Sequence, residues 1–122
     1  PDYAIAIDVC HAKTGDSKPD DRVSDLGGGP VVAFGSNSIP LFARRLVEVA
    51  RAKEIPHQLE AVPAHSGTNA WAIQTVESGV CTAVVSLPLK YMHSPVEVIK
   101  LSDVRQVGRL LCEFVKQFDG NL

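Results

Sequence analysis

Two residues in this chain carry metal-ligand chemistry in comparable settings. Asp8 closes the apolar run Tyr3-Ala4-Ile5-Ala6-Ile7, and His93 follows the apolar stretch that ends at Leu89. Open α/β sheets gather their ligand sites at the carboxyl ends of strands, so an Asp or His in that place is a candidate donor. A carboxylate oxygen and a neutral imidazole nitrogen suit zinc, cobalt or manganese, but a usable site needs at least three protein donors. Two donors on separate strands leave a second reading standing, in which Asp8 caps a turn and His93 meets solvent.

The remaining reactive residue types are weaker candidates. Cys10 lies two residues beyond Asp8, on the same side if the strand continues, and could reach a metal as thiolate; its apolar setting favours a buried structural cysteine. His11, His57 and His65 have no partner pattern and read as structural or exposed histidines. Ser66 is flanked by Ala64 and Thr68, so it lacks both glycines of a nucleophile elbow. Gly27-Gly28-Gly29 precedes a strand and opens no helix, which predicts a flexible hinge in place of a phosphate loop. Trp71 is expected to line the core.

The elements that must position these residues alternate apolar runs with helical patterns, the signature of an α/β sheet with helices on its faces. Strands are expected at Tyr3 to Val9, Val31 to Phe34, Gln58 to Val62 near a sheet edge, and Thr82 to Leu87. The polar stretch from His11 to Gly29 reads as a long surface loop. Asn37 and Ser38 supply cap chemistry ahead of a first helix with Pro40 in its first turn and Ile39, Phe42, Leu46, Val49 and Ala50 on one face. A second helix follows Ser66-Gly67-Thr68-Asn69, with Ala72, Ile73 and Val76 inward and Gly79 as its left-handed cap. The last helix starts near Ser102, with Asp103 in its first turn and Val104, Val107, Leu110, Leu111, Phe114 and Phe118 at helical spacing.

With 122 residues, 45% of them apolar, the chain fills one modest core and no more. A net charge of −2 and only one Trp, two Tyr and four Phe give neither a basic aromatic face for nucleic acid nor a polybasic run for membranes. No apolar run is long enough to span a bilayer, and no signal-peptide pattern opens the chain. Cys10, Cys81 and Cys112 are odd in number and far apart, which predicts reduced thiols and a cytoplasmic setting. Pro1 is no initiator Met, and the chain enters a buried-type strand almost at once, as a fragment would.

Several segments in order resemble the glutamyl and tetrahedral aminopeptidases with a dinuclear metal centre. They are Ala4-Ile5-Ala6-Ile7-Asp8-Val9 with His11-Ala12, Gly29-Pro30-Val31-Val32, Ile55-Pro56-His57-Gln58, Gly67-Thr68-Asn69-Ala70 with Ala72-Ile73-Gln74, and the run from Ser86-Leu87-Pro88 through His93 to Glu97. Together they cover nearly the whole chain, and separate motifs at compatible intervals are far more specific than any one of them. The resemblance implies a three-layer α/β/α sheet of the zinc-peptidase type, with residues 1–122 forming only the C-terminal part of its catalytic domain.

By the same resemblance Asp8 ligates one of two divalent ions (Zn, Co or Mn) and His93 the other. The bridging aspartate, a further histidine and the paired glutamates that include the general base belong to a preceding segment, so this chain alone is expected to be inactive. Glu97 or a backbone carbonyl is implied to orient the His93 ring. Gly67, Thr68 and Asn69 resemble the segment that approaches substrate, where a plain helix cap is an equal reading; the family carries Asp at the place of Asn69. The implied activity is removal of N-terminal residues from peptides by metal-activated water, and the implied partners are peptide substrates, the missing segment or a companion chain, and further copies in a large homo-oligomer. The different class that stays open is a non-catalytic α/β module that binds a partner or builds an assembly.

Overall fold

A computed structural model describes all 122 residues. Four strands form one mixed sheet: β1 (Tyr3–His11), β2 (Val31–Gly35), β3 (Gln58–Val62) and β4 (Cys81–Leu89), in the order β1-β4-β2-β3. β1 runs parallel to β4, β2 runs parallel to β3, and the two pairs meet antiparallel between β2 and β4. Helices α1 (Pro40–Ala52) and α3 (Leu101–Gln117) pack on each other and on one face of the sheet, while the other face carries only the short α2 (Ala70–Ile73). This is part of an α/β/α arrangement, with one helical layer built and the opposite one represented by a single turn.

The covered face holds the core. Val32, Ala83 and Val85 of the sheet meet Phe42, Leu46 and Val49 of α1 and Val107, Leu110 and Phe114 of α3. A chain of aromatic rings extends it, with Tyr3 edge-on to Phe42 at 6.0 Å and to Phe118 at 5.0 Å. The opposite face is lined by small residues, and Ala6, Ala33, Val84 and Ala70 make only a minor cluster there. Small side chains on that face leave room for a cleft.

Strands β1 and β4 are longer than the apolar runs suggested, because their parallel pairing continues through Cys10 against Pro88 and His11 against Leu89. Asp8 therefore sits inside its strand and not at its end. The first helix begins with Pro40 at its first position, which suits a residue lacking an N–H there. Its cap is Ile39, 42% exposed, with no side-chain cap; Asn37 instead donates its amide to the Ser66 hydroxyl. Glu54, at φ 51°, closes the helix through Ile55 N–H to the Ala50 carbonyl.

The second helix is shorter than its pattern. Only Ala70 is buried, and Val76 is 49% exposed, since the chain leaves helical geometry through left-handed Glu77 and Gly79. β-Branched Thr75 and Val76 give the helix little reason to continue. The last helix is capped at Lys100, so Ser102 lies within it, and Val104 faces outward. Asp103 is buried: its carboxylate accepts the Gly27 amide at 2.8 Å and the Gly29 amide at 3.0 Å. The triple glycine is thus a clamped turn and no hinge. At Gly29, φ is +84° and an added Cβ would lie 2.0 Å from the Pro56 carbonyl oxygen.

Candidate active site

The pleat decides what the open face presents. Because side chains alternate, Ala6, Asp8 and Cys10 of β1 share that face with Val84 and Ser86 of β4 and with Ala33 and Gly35 of β2. Asp8, Ser86, Val31 and Gln58 form one row across all four strands. Above this floor lies a cleft of about 380 Å³. Asp8 on β1 and His93 in the turn that follows its parallel neighbour β4 both line it, although they are 85 positions apart in the chain.

Each is held differently. Asp8 is half-buried, and one carboxylate oxygen accepts the Val9 amide at 2.8 Å. His93 belongs to the turn after β4, exposed, with φ at 63°; Tyr91 is left-handed as well, at 60°. Two such non-glycine residues in one short turn are a local strain of the kind functional sites retain. Glu97 supports the turn by accepting the His93 backbone amide at 2.7 Å. Its hydrogen bond is to the main chain and leaves the imidazole ring free.

Gly67 and Thr68 line the cleft, and Asn69 lines an adjoining depression that shares Asp8, Gly67 and Thr68 as walls. The cap function falls to Thr68, whose hydroxyl accepts the Ala70 amide at 3.4 Å, while the Asn69 side chain makes no cap. Beside the cleft the Ser38 hydroxyl is buried with no hydrogen-bond partner. Cys10 is buried at the cleft wall with its sulfur 3.7 Å from the Ser24 hydroxyl, and burial pushes its thiol up to about 11. That setting keeps it a thiol. His57 holds the Ile55 carbonyl at 3.0 Å, and His65 packs edge-on against Trp71 at 4.3 Å. Trp71 is 38% exposed and outside the core.

The residue that the sequence did not single out is Glu60. The alternation in β3 marked a strand near the sheet edge without saying which residues turn inward; Gln58, Glu60 and Val62 face the cleft side and Leu59 is 56% exposed. The available signal was parity with Val62. Burial raises the Glu60 carboxyl above its ordinary range, and His11 opposes that shift.

No three His, Cys, Asp or Glu side chains converge in these residues to hold a metal ion. The donor chemistry of Asp8 and His93 suits a divalent transition metal, as contributors to a larger set.

The family model of the M42 glutamyl aminopeptidases matches residues 1–110. This chain belongs to the M42 family. A lysyl aminopeptidase of Pyrococcus furiosus is 40% identical over 125 residues, covering 98% of this chain and 35% of the relative. The structure of an aminopeptidase from the archaeon Desulfurococcus kamchatkensis superposes with a TM-score of 0.88 at 32% identity, over 97% of this chain and 35% of that one. A TET1 peptidase of Pyrococcus horikoshii, described as assembling into a tetrahedron or a large octahedral shell, matches with a TM-score of 0.70 at 30% identity over 94% of this chain and 33% of its own. The M42 chain thus spans about a third of the length of the relatives it matches. Its partial α/β sheet corresponds to a part of their peptidase fold.

Proposed function

We propose that these 122 residues are the C-terminal part of the catalytic domain of a metal-dependent aminopeptidase that removes N-terminal residues from peptides. What supports the reading is that Asp8 and His93, the two donors of a motif set typical of aminopeptidases, wall a single cleft in a chain of the M42 family. Asp8 and His93 would each hold one of two divalent ions, Zn, Co or Mn, with the remaining donors and the general base supplied from outside these residues. When bound, such ions polarise the scissile carbonyl and acidify a water.

The chain's own residues then position. Glu97 fixes the His93 turn through its backbone amide and so keeps the imidazole over the cleft. Val9 N–H holds the Asp8 carboxylate in one rotamer. Gly67 and Thr68 let backbone approach the substrate beside Asp8, with Asn69 next to them as a neutral neighbour. Assembly into a large homo-oligomer and a cytoplasmic setting belong to the same reading. No helix is long and apolar enough to cross a membrane.

The test uses the full-length polypeptide carrying these residues, with Asp8→Asn and His93→Ala variants. Metal content by plasma mass spectrometry and hydrolysis of a panel of aminoacyl amides are read together. The reading expects each variant to lose about one ion per chain and roughly 100-fold or more in activity, since an absent ligand removes stabilisation made in the transition state. Undiminished metal content and activity in both variants would overturn it in favour of a non-catalytic module.

A further inference from the structure

The cleft holds a carboxylate that the metal reading does not use. We propose that Glu60 is the specificity-determining residue of this cleft and receives an ammonium group of the peptide substrate, either its free α-amino terminus or a basic side chain. The proposal rests on the aminopeptidase reading above.

Four observations carry it. Glu60 is the third residue of β3, and the pleat turns it onto the face that bears Asp8, where both line one cleft with His93 and Thr68. Asp8 and Glu60 are the cleft's two carboxylates, and Asp8 already accepts an amide and serves as a proposed ligand. Glu60 makes no ion pair, and its carboxylate accepts no hydrogen bond; the His11 imidazole opposes the effect of burial on it. The cleft wall holds no lysine or arginine, so apart from the His11 imidazole it offers Glu60 no cationic partner, and a ligand ammonium would fill that place.

A half-buried carboxylate without a donor costs the fold stability and is retained where a ligand completes it. The floor beside it favours this. Ala33 pairs with Glu60 across the strands and Gly35 pairs with Val62, so small residues leave space for a chain to lie toward Asp8. Asn69, in the adjoining depression, carries no charge of its own.

Glu60 has one competing role. A charge pointing inward on an edge strand hinders pairing between sheets. That role would change self-association on substitution and leave substrate affinity alone.

The experiment compares wild-type full-length protein with Glu60→Gln and Glu60→Asp, using lysyl and leucyl amides. The expected result for Glu60→Gln is a rise in KM of about 10- to 100-fold, the loss of one charge-assisted hydrogen bond, with kcat changed far less. A rise confined to the lysyl amide assigns the contact to the basic side chain. An equal rise for lysyl and leucyl amides assigns it to the α-ammonium. Glu60→Asp, which keeps the charge, should recover part of the affinity, and thermal melting of both variants controls for folding.

Unchanged KM for every amide, with or without altered self-association, would overturn the proposal. Should wild-type protein hydrolyse none of them, the aminopeptidase reading fails by itself. Calorimetric titration with lysinamide then decides the matter: weaker binding by Glu60→Gln than by wild type supports cation recognition, and equal or absent binding in both overturns it.

Discussion

At the scale of single residues, burial separates three cysteines that look alike in the sequence. Cys10 is buried at the cleft wall, Cys81 is half-buried, and Cys112 is exposed on α3. A disulfide reagent needs both access and thiolate, and an apolar setting withholds both. The folded chain is therefore expected to release one equivalent of chromophore rapidly from Cys112, a second more slowly from Cys81, and the third only on unfolding. Rapid reaction of all three at neutral pH would mean that the β1 wall of the cleft opens readily. Asp8 and His93 were legible as residue types with ligand chemistry, but their meeting in one cleft was implied only by the family resemblance and not by type or spacing, because it depends on β1 and β4 being parallel neighbours. Glu60 was illegible for a related reason. Its inward direction follows from pleat parity at an edge strand, which the alternation of Gln58 to Val62 does not fix by itself, since Leu59 and Val62 lie on opposite faces.

At the scale of elements, two contacts between distant segments fix how the helical layer sits. The buried Asp103 of α3 binds the amides of Gly27 and Gly29, and so ties that helix to the turn that launches β2. Asp103→Ala leaves two donors unsatisfied and is expected to destabilise the fold by about 3 kcal/mol, with Asp103→Asn costing less because it keeps one acceptor. Urea denaturation checks both, and an unchanged midpoint would show that the turn is held by other means. Glu113 makes the second link, bridging Lys53 after α1 and Lys116 on its own helix at 3.1 and 2.8 Å. Hydrogen bonds from Lys116 and then Lys53 hold its carboxyl below its ordinary value. A lowered folded pKa adds stability that is present above the unfolded value and lost as pH falls through the folded one. Glu113→Gln should accordingly flatten the stability profile in acid and leave its shape near pH 7 unchanged, as thermal melts across pH would read. Strand positions and the α3 pattern were visible from periodicity. Asp103 was not, since a first-turn acid is ordinarily read as a response to the helix dipole, and here a turn 76 positions away claims it.

At the scale of the whole molecule, the sheet is finished on one side only. Helices α1 and α3 bury one face, while the other holds the cleft and a single turn of helix. The edge strand β1 exposes Ile7 at 56% and Val9 beside it, and the connection from β4 to α3 exposes Tyr91, Val96, Val98 and Ile99. An edge strand with apolar side chains and free backbone groups is a template for pairing, and exposed apolar residues on this scale call for a cover. The relatives are about three times as long, and one of them is described as assembling into a tetrahedron or a large octahedral shell. Expressed alone, these 122 residues are expected to associate at micromolar concentration and to bind a dye that reports apolar surface. Embedded in a full-length polypeptide, the same residues should show a discrete assembly mass and little dye binding. Sedimentation velocity on both forms tests this. A monodisperse, dye-silent monomer of the isolated chain would show that the half-covered sheet is stable by itself and would place the need for the remaining residues in the chemistry of the cleft alone.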